Sequence, residues 1–405
     1  MNGIRRAAAI VAAQVLAQIG AFTLPALLPQ FIARWSLTAT EAGWLVGAFF
    51  AAYVVAVPVL VALTDRVPAR RVYLVGTGLT ALSHLGFALV ADDFWSALAL
   101  RAVAGVGWAG CYMPGLKAIA DQLAGPAQSR AVTWHAAGIG IAGAASFAVA
   151  GALDAAAGPR AAFLFGAAAA AIAFLLGLVA MPGAAPPRPG TGAPGRLLDF
   201  RPVLRNRAAM AWIAGYTVHT WELAALRAWG VTFMAAAIAL HGAPAWLPAP
   251  SLLFTAAGLL GILVSIAGNE TAQYFGRRRV VAAAMGGGAV LALMAGCSLS
   301  VSAPLAVACV LAWNAAIYLD SSALTAGTVQ AAEPSRRGAT MGLHSMCGYA
   351  GGFIGPLGVG LALDLAAPET GLGWALAFGQ LAPVTLAGLW LLRRLDPSGT
   401  AGTRA

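Results

Sequence analysis

Residues 43–91 read GWLVGAFFAAYVVAVPVLVAL, TDRVPARR and VYLVGTGLTALSHLGFALVA in succession. Two apolar runs flank a short basic segment, and each run has about the 20 residues that a helix needs to cross a bilayer. Hydrophobic residues make up 60% of the 405-residue chain and charged residues only 9%, whereas a soluble domain has about a quarter charged. Because lipid offers the backbone no hydrogen-bond partner, such runs must be helices. The sequence predicts an all-α membrane protein.

The same alternation of apolar runs and polar breaks continues along the chain and predicts twelve spans. They fall at 8–33, 43–63, 72–91, 96–118, 131–153, 160–180, 209–238, 251–268, 280–299, 304–330, 338–363 and 371–392. The longest polar break, at 182–207, is rich in Pro and Gly and is typical of a linker. We therefore expect an N-terminal six-helix bundle at 1–181, a linker at 182–207, a C-terminal six-helix bundle at 208–394 and a tail at 395–405.

The basic residues indicate the orientation in the membrane. Most of the 24 Lys and Arg residues lie in the termini and in alternate loops, and the positive-inside rule places these segments in the cytoplasm. Both termini and the linker are thus predicted to be cytoplasmic. The net charge of +10 is spread over the loops, so no nucleic-acid partner is expected. Abundant Ala, Gly and Arg with a single Lys suggests a bacterial source and hence the inner membrane.

Cysteines and catalytic patterns exclude other classes of function. All four cysteines lie in apolar runs without metal-ligand spacing, so we predict no disulfide, metal site or cofactor. No nucleophile with an orienting base is evident, so the chain is not expected to be an enzyme.

The two halves of the chain resemble each other. The segment Thr64–Val72 after span two is echoed by Ala272–Val280 after span eight. His135 in span five and His344 in span eleven correspond at nearly the same offset. Two related bundles imply a pseudo-twofold axis and a binding cavity at their interface near the bilayer midplane.

The loop after span two carries a recognisable charge pattern. Leu63, Asp65, Arg66, Arg70 and Arg71 match the pattern G-x-L-a-D-r-x-G-r-r, although Val61 and Pro68 replace its two glycines. The second-half copy keeps Gly276 and three arginines but has Gln273 where the first has Asp. Span four matches R-x-x-x-G-x-G through Arg101, Gly105 and Gly107.

With these motifs the chain resembles the major facilitator superfamily over essentially its whole length. The resemblance implies two pseudo-symmetric six-helix bundles and secondary active transport by alternating access. The glycine-rich spans five and eleven and the segment His219–Glu222 give a weaker resemblance to the nitrate/nitrite and cyanate porter-like branch. Drug/proton antiporters have Gly-Pro in span five, whereas here Gly355 and Pro356 lie in span eleven. This difference makes multidrug export a less favoured function without excluding it.

The charged residues at the cytoplasmic loops are the predicted gate. An acid at a helix end beside basic residues can pair across helices and hold one global conformation. The alternative is that the arginines only anchor the orientation. The predicted gating residues are Asp65, Arg66, Arg70, Arg71, Arg130, Glu270, Arg277 and Arg278.

Ionisable residues inside spans indicate the transport pathway, because each costs about 2.5–3.5 kcal/mol at a helix centre on insertion scales. Span seven contains YTVHTWELAALRAW at 216–229. At about 100° per residue, Glu222 lies about 60° to one side of His219 and Arg227 about 80° to the other. One sector can therefore present an acid, an imidazole and a guanidinium. A structural Glu–Arg network between helices is the alternative.

Spans four and ten complete the candidate site. The predicted substrate-binding residues are Arg101, Trp108, Tyr112, Tyr216, His219, Arg227 and Trp313, and the predicted proton-coupling residues are Glu222 and Asp320. Glu222 is favoured over Asp320 because His219 lies one helical turn away and could share its proton. His135 and His344 are left open between proton transfer, gating and packing.

These residues support three hypotheses for function. The first is proton-coupled uptake of a small anionic or zwitterionic solute, with Arg101 and Arg227 as counter-charges. The second is proton-driven export of a hydrophobic or cationic compound, recognised by the two acids and the tryptophans. The third is a non-transporting sensor built on the same fold. The expected partners are a small-molecule substrate, protons or another coupling ion and the lipid bilayer, and the expected state is a monomer.

Overall fold

The computed structural model describes residues 3–64, 66–183, 199–366 and 371–395. Every regular element in these ranges is helical. The α-helices are Gly3–Gln18, Thr23–Trp35, Ala39–Leu63, Ala69–Leu89, Phe94–Ala109, Tyr112–Gln122, Gly125–Ala157, Pro159–Ala180, Arg201–Arg205, Arg207–His241, Pro250–Phe275, Arg277–Ser298, Ala303–Ala331, Arg337–Ala366, Gly371–Gly379 and Leu381–Leu395, with a 3₁₀ turn at Pro334–Arg336. The predicted linker and tail lie partly outside the described residues.

Within the described ranges, twelve segments are long and apolar enough to cross a membrane, so the predicted number of spans is confirmed. Three of the spans, numbered in chain order, consist of two α-helices: span one (Gly3–Trp35), span four (Phe94–Gln122) and span twelve (Gly371–Leu395). Span seven runs over Arg207–His241, beyond the predicted 209–238. Hydropathy alone does not define the ends of a helix, because its backbone hydrogen bonds continue past the apolar core of a span.

The helices form two compact units. Unit one comprises Met1–Gln30 and Ala48–Gly195, and unit two comprises Phe31–Gly47 and Arg196–Ala405. This division follows packing and not chain order, so the end of span one and the start of span two belong with the second half of the sequence.

Spans three and four of unit one pack closely at glycines. A Cβ on Gly76 of span three would lie 2.6 Å from the carbonyl carbon of Gly110 in span four. A Cβ on Gly107 would likewise lie 2.5 Å from the hydroxyl oxygen of Thr80. Small residues allow helix backbones to approach each other in this way, which is a common packing mode in membranes.

The glycines of span eleven fix the position of span seven in unit two. A Cβ on Gly351 would overlap the carbonyl oxygen of Thr217, and a Cβ on Gly355 would overlap that of Trp221. Trp229 of span seven also donates its indole N–H to the carbonyl of Pro356, at 2.8 Å. These contacts set the rotation of span seven, and therefore the direction in which its ionisable residues point.

The start of span two is held in unit two by Asp364 of span eleven. The two carboxylate oxygens of Asp364 accept hydrogen bonds from the backbone N–H groups of Ala39 and Thr40, at 2.8 and 2.7 Å. Those N–H groups belong to the first turn of a helix, where no intrahelical acceptor exists. Gly360 leaves room for this approach, because a Cβ there would overlap the carbonyl of Ala39.

Candidate functional site

Glu222 is a buried acid in the middle of span seven. Its side chain is 4% exposed, and its Oε1 accepts a hydrogen bond from the indole Nε1 of Trp313 in span ten. Trp313 is itself fully buried. On span nine, Gly288 faces the carboxylate, and a Cβ there would lie 2.9 Å from Oε1. The structure thus brings together two predicted site residues, and a glycine leaves room for the carboxylate.

The second buried acid, Asp320 of span ten, lies beside His219 of span seven. Oδ1 of Asp320 is 2.7 Å from Nδ1 of His219, and both side chains are almost completely buried. The contact is at ion-pair distance, although these two atoms do not meet hydrogen-bond geometry. From the sequence we expected His219 to share the proton of Glu222, whereas in the structure it lies beside Asp320. A helical wheel gives the direction of a side chain on its own span but not which neighbouring span it meets.

Aromatic stacking connects this pair to His344 of span eleven. The ring of Tyr216 stacks on that of His219 at 5.7 Å and on that of His344 at 3.8 Å between centroids. The two ring nitrogens of His344 face hydroxyl groups of span ten: Thr328 lies 3.1 Å from Nδ1 and Thr325 lies 3.4 Å from Nε2. His344, whose role the sequence left open, therefore belongs to the same polar network.

A cavity of about 430 Å³ borders this network. It is an open pocket along span ten, lined by Ser321, Ser322, Thr325, Ala326, Val329 and Gln330. Thr325 is shared between the cavity lining and the contact with His344. Hydroxyl and amide groups can hydrogen-bond a polar solute or a water molecule at this position.

Arg227 lies on the opposite edge of span seven and pairs with Tyr318 of span ten. Its guanidinium donates a hydrogen bond to the Tyr318 hydroxyl and lies 5.8 Å from the ring centroid. Tyr318 was not predicted as a site residue. Its position two residues before Asp320 was the one available signal, and it is weak because adjacent positions on a helix face different directions.

In unit one, the predicted residues of span four meet aromatic rings of other spans. Arg101 is 3% exposed, and its guanidinium carbon lies 4.8 Å from the centroid of the Phe49 ring. Trp108 packs on Phe49 at 4.6 Å. Tyr112 stacks on His135 of span five at 5.3 Å, and its carbonyl lies 3.0 Å from Nε2 of that ring. His135 is thus held in a specific position by packing and one hydrogen bond.

Two arginines of the predicted gate have equivalent partners in the two units. Arg70 donates to the carbonyl of Leu178 at the end of span six, at 2.7 Å. Arg278 donates to the carbonyl of Leu392 near the end of span twelve, at 2.6 Å. A cation at a helix C-terminus pairs with carbonyls that have no intrahelical donor and with the negative end of the helix dipole. These contacts give both arginines a structural role within their unit.

The other predicted gating residues are at or near the surface. Arg66, Arg71 and Arg130 are exposed. Glu270 is exposed and accepts a hydrogen bond from Gln273 at 3.2 Å, and Arg277 donates to Gln330. Asp65, the predicted gating acid, lies outside the described residues.

The comparisons with known proteins agree with this architecture. The family model of the Major Facilitator Superfamily matches residues 10–356. No curated protein matches the chain. A mutant of the nucleoside transporter NupG has a TM-score of 0.75 and 13% identity, over 96% of this chain and 99% of that one.

A second solved structure is a bacterial homologue of the human lysosomal transporter Spinster, in an inward-facing and unoccupied conformation. It has a TM-score of 0.74 and 16% identity, over 99% of this chain and 96% of that one. At such identities the likeness to both structures shows the fold alone.

Proposed function

This chain belongs to the major facilitator superfamily and is a secondary transporter that works by alternating access, and we propose that it couples the uptake of a small anionic or zwitterionic solute to protons. It is a multi-pass membrane protein and not an enzyme. The proposed location is the inner membrane of a bacterium. The finer resemblance to nitrate and cyanate porters stays a prediction.

The observation that carries the proposal is the pair of buried carboxyl groups in unit two. Glu222 and Asp320 both lie well inside their spans and are 4% and 2% exposed. Acids at such depth are expensive to insert and usually mark an ion or proton pathway. Because low-dielectric surroundings penalise the charged form of an acid, a carboxyl group there can gain and lose a proton as its surroundings change during a transport cycle.

Glu222 is the proposed proton site because its partner tolerates both protonation states. The indole of Trp313 is neutral and only donates. A carboxylate oxygen and the carbonyl oxygen of a protonated acid can both accept that hydrogen bond. Glu222 can therefore exchange a proton without losing the contact that positions it. The pair of Asp320 and His219 is the second candidate.

Two arginines are the proposed counter-charges for the solute. Arg101 of unit one and Arg227 of unit two both lie within spans and are held by aromatic partners, Phe49 and Tyr318. A guanidinium has five N–H donors in a planar fork, so it can bind a carboxylate in bidentate fashion in addition to its other contacts. This supports an anionic or zwitterionic solute over a purely cationic one.

A different observation favours the second candidate function, proton-driven export of a hydrophobic or cationic compound. Trp313, the partner of Glu222, also packs on Phe378 with ring centroids 4.9 Å apart. An acid beside aromatic rings is a chemistry that recognises organic cations. A panel of anions, amino acids and cationic drugs would discriminate the two, because a ligand that binds the native state raises thermal stability.

The proton site is tested with Glu222→Gln in proteoliposomes, with the stabilising solute found in that panel. The amide keeps an acceptor for Trp313 but cannot release a proton. We expect solute binding and exchange across the membrane to remain while accumulation driven by a pH gradient is lost. Glu333→Gln, at an exposed acid of the same unit with no predicted role, is the matched control and should behave as the parent.

Arg227→Gln should weaken binding of an anionic solute and leave proton coupling of the residual transport intact. If Glu222→Gln instead accumulates solute against its gradient with the parental pH dependence, Glu222 is not the proton site. The same experiment would then be made with Asp320→Asn.

A further inference from the structure

Span one carries two glutamines on one face in unit one. Gln14 and Gln18 are four residues apart, which places them one helical turn from each other. They are 0% and 3% exposed. The nitrogen and the oxygen of both carboxamides have no hydrogen-bond partner within the described part of the chain. Each carboxamide has two donor hydrogens and an acceptor oxygen to offer.

The position of span five that lies next to Gln14 has no side chain with which it could bond. Gly138 of span five faces it, and a Cβ at that position would lie 3.7 Å from Cγ of Gln14. Two polar side chains near span one, by contrast, have partners. The two ring nitrogens of His84 lie 2.9 and 3.0 Å from the carbonyls of Thr80 and Gly20, and Ser146 accepts from the backbone of Phe22 at 3.0 Å. The glutamines are therefore not members of that structural network.

Another side chain with an unmet polar atom, His135, lies on span five. Nε2 of His135 is 3.0 Å from the carbonyl of Tyr112, and because a carbonyl only accepts, Nε2 carries the proton. Nδ1 of the neutral ring is then an acceptor, and it has no partner among the described residues. His135 lies three residues before Gly138, on the same side of span five. Spans one and five thus carry both donors and acceptors that find no partner among the residues the structure describes.

Unpaired buried polar groups are rare in native proteins, and they are more costly in a membrane than in a soluble fold. The adjacent residues Ala13 and Ala17 are part of the apolar core of unit one. We propose that Gln14 and Gln18 form a polar subsite that hydrogen-bonds an uncharged group of the transported solute. That group carries both a donor and an acceptor, as a carboxamide, a nucleobase edge or a pair of hydroxyls does. The proposal rests on the transport function above.

The first test is whether the two positions face the aqueous pathway. Gln14→Cys and Gln18→Cys are treated in membrane vesicles with a water-soluble, sulfonate-bearing methanethiosulfonate. The matched controls are Ala13→Cys and Ala17→Cys, on the same helix within the apolar core. The parent protein gives the background from its native cysteines.

We expect the Gln positions to be labelled several-fold faster than the Ala positions. Labelling of the Gln positions at the control rate would overturn the proposal, because dry packing or an isolated internal water excludes a charged reagent. The result does not depend on Glu222, so it is separable from the test of proton coupling.

The second test compares a buried amide that has no hydrogen-bond partner among the described residues, Gln14, with one that has a partner, Asn314. Asn314 is 4% exposed and donates from Nδ2 to the carbonyl of Ala257 at 3.0 Å. Gln14→Leu should raise the unfolding temperature of the solute-free protein, because it removes unmet polar groups. Asn314→Leu should lower it, because it removes a buried hydrogen bond between spans ten and eight. An equal loss in both variants would show that Gln14 has a structural role and would contradict the subsite.

Discussion

Replacing Asp364 with Ala should release the first turn of span two. The carboxylate accepts from the N–H groups of Ala39 and Thr40, at 2.8 and 2.7 Å. Loss of a side-chain acceptor at a helix N-terminus costs about 0.5–2 kcal/mol. Hydrogen bonds to a charged group contribute about 1.5–3 kcal/mol each. Because the Asp364 side chain is exposed, we expect the two hydrogen bonds together to stabilise the first turn of span two by about 1.5 kcal/mol. That free energy corresponds to about a tenfold change in the local opening equilibrium.

Hydrogen–deuterium exchange of a peptide that covers residues 31–47 measures this change. We expect the exchange of the Ala39 and Thr40 amides to become about tenfold faster in Asp364→Ala. Asp364→Asn should show a smaller effect, since it keeps one acceptor oxygen but loses the charge. The control is Asp154→Ala, because Asp154 accepts from the side chain of Gln30 and not from a helix N-terminus. Unchanged exchange in a folded Asp364→Ala protein would refute the reasoning.

Three further predictions concern packing, gating and topology. Gly351→Leu should lower the unfolding temperature strongly, because even a Cβ there overlaps the Thr217 carbonyl, whereas Gly286→Ala, with open space around it, should change little. Asp65→Asn should shift the conformational population towards the inward-open state while the protein stays folded, which spin-label distances across the cytoplasmic face would measure. If these distances and transport are unchanged, the charge pattern after span two only sets the orientation in the membrane. A cysteine at Gly192 should be labelled from the cytoplasmic side, and periplasmic labelling would reverse the predicted topology.

Glu222 and Asp320 illustrate how two similar acids acquire different chemistry. The partner of Glu222 is the indole of Trp313, a neutral donor. It can donate its hydrogen bond to either protonation state of the acid. Asp320 has His219 at ion-pair distance, and an imidazole can itself bind or release a proton. A proton gained by Glu222 therefore leaves its partner unchanged, whereas one gained by Asp320 weakens its attraction to a protonated His219. This difference is the reason why Glu222 is tested first.

The sequence by itself determined that the chain crosses the membrane twelve times, since length and hydropathy of a span are local properties and lipid permits only helices there. It also identified Glu222, Asp320, His219 and Trp313 as candidates, because a polar residue in an apolar run is visible without a structure. It could not assign partners, because periodicity gives a side chain a direction on its own helix but leaves the rotation and depth of the neighbouring helix open.

Only the tertiary structure decided which groups meet. It placed Trp313 against Glu222 and His219 against Asp320, and it left Gln14 and Gln18 without partners within the described part of the chain. It also placed residues 31–47 with unit two, where Asp364 completes a helix terminus formed more than 300 residues earlier in the chain. These outcomes depend on how whole helices pack, at glycines such as Gly351 that allow close approach, and no local pattern in the sequence encodes the partner of such a contact.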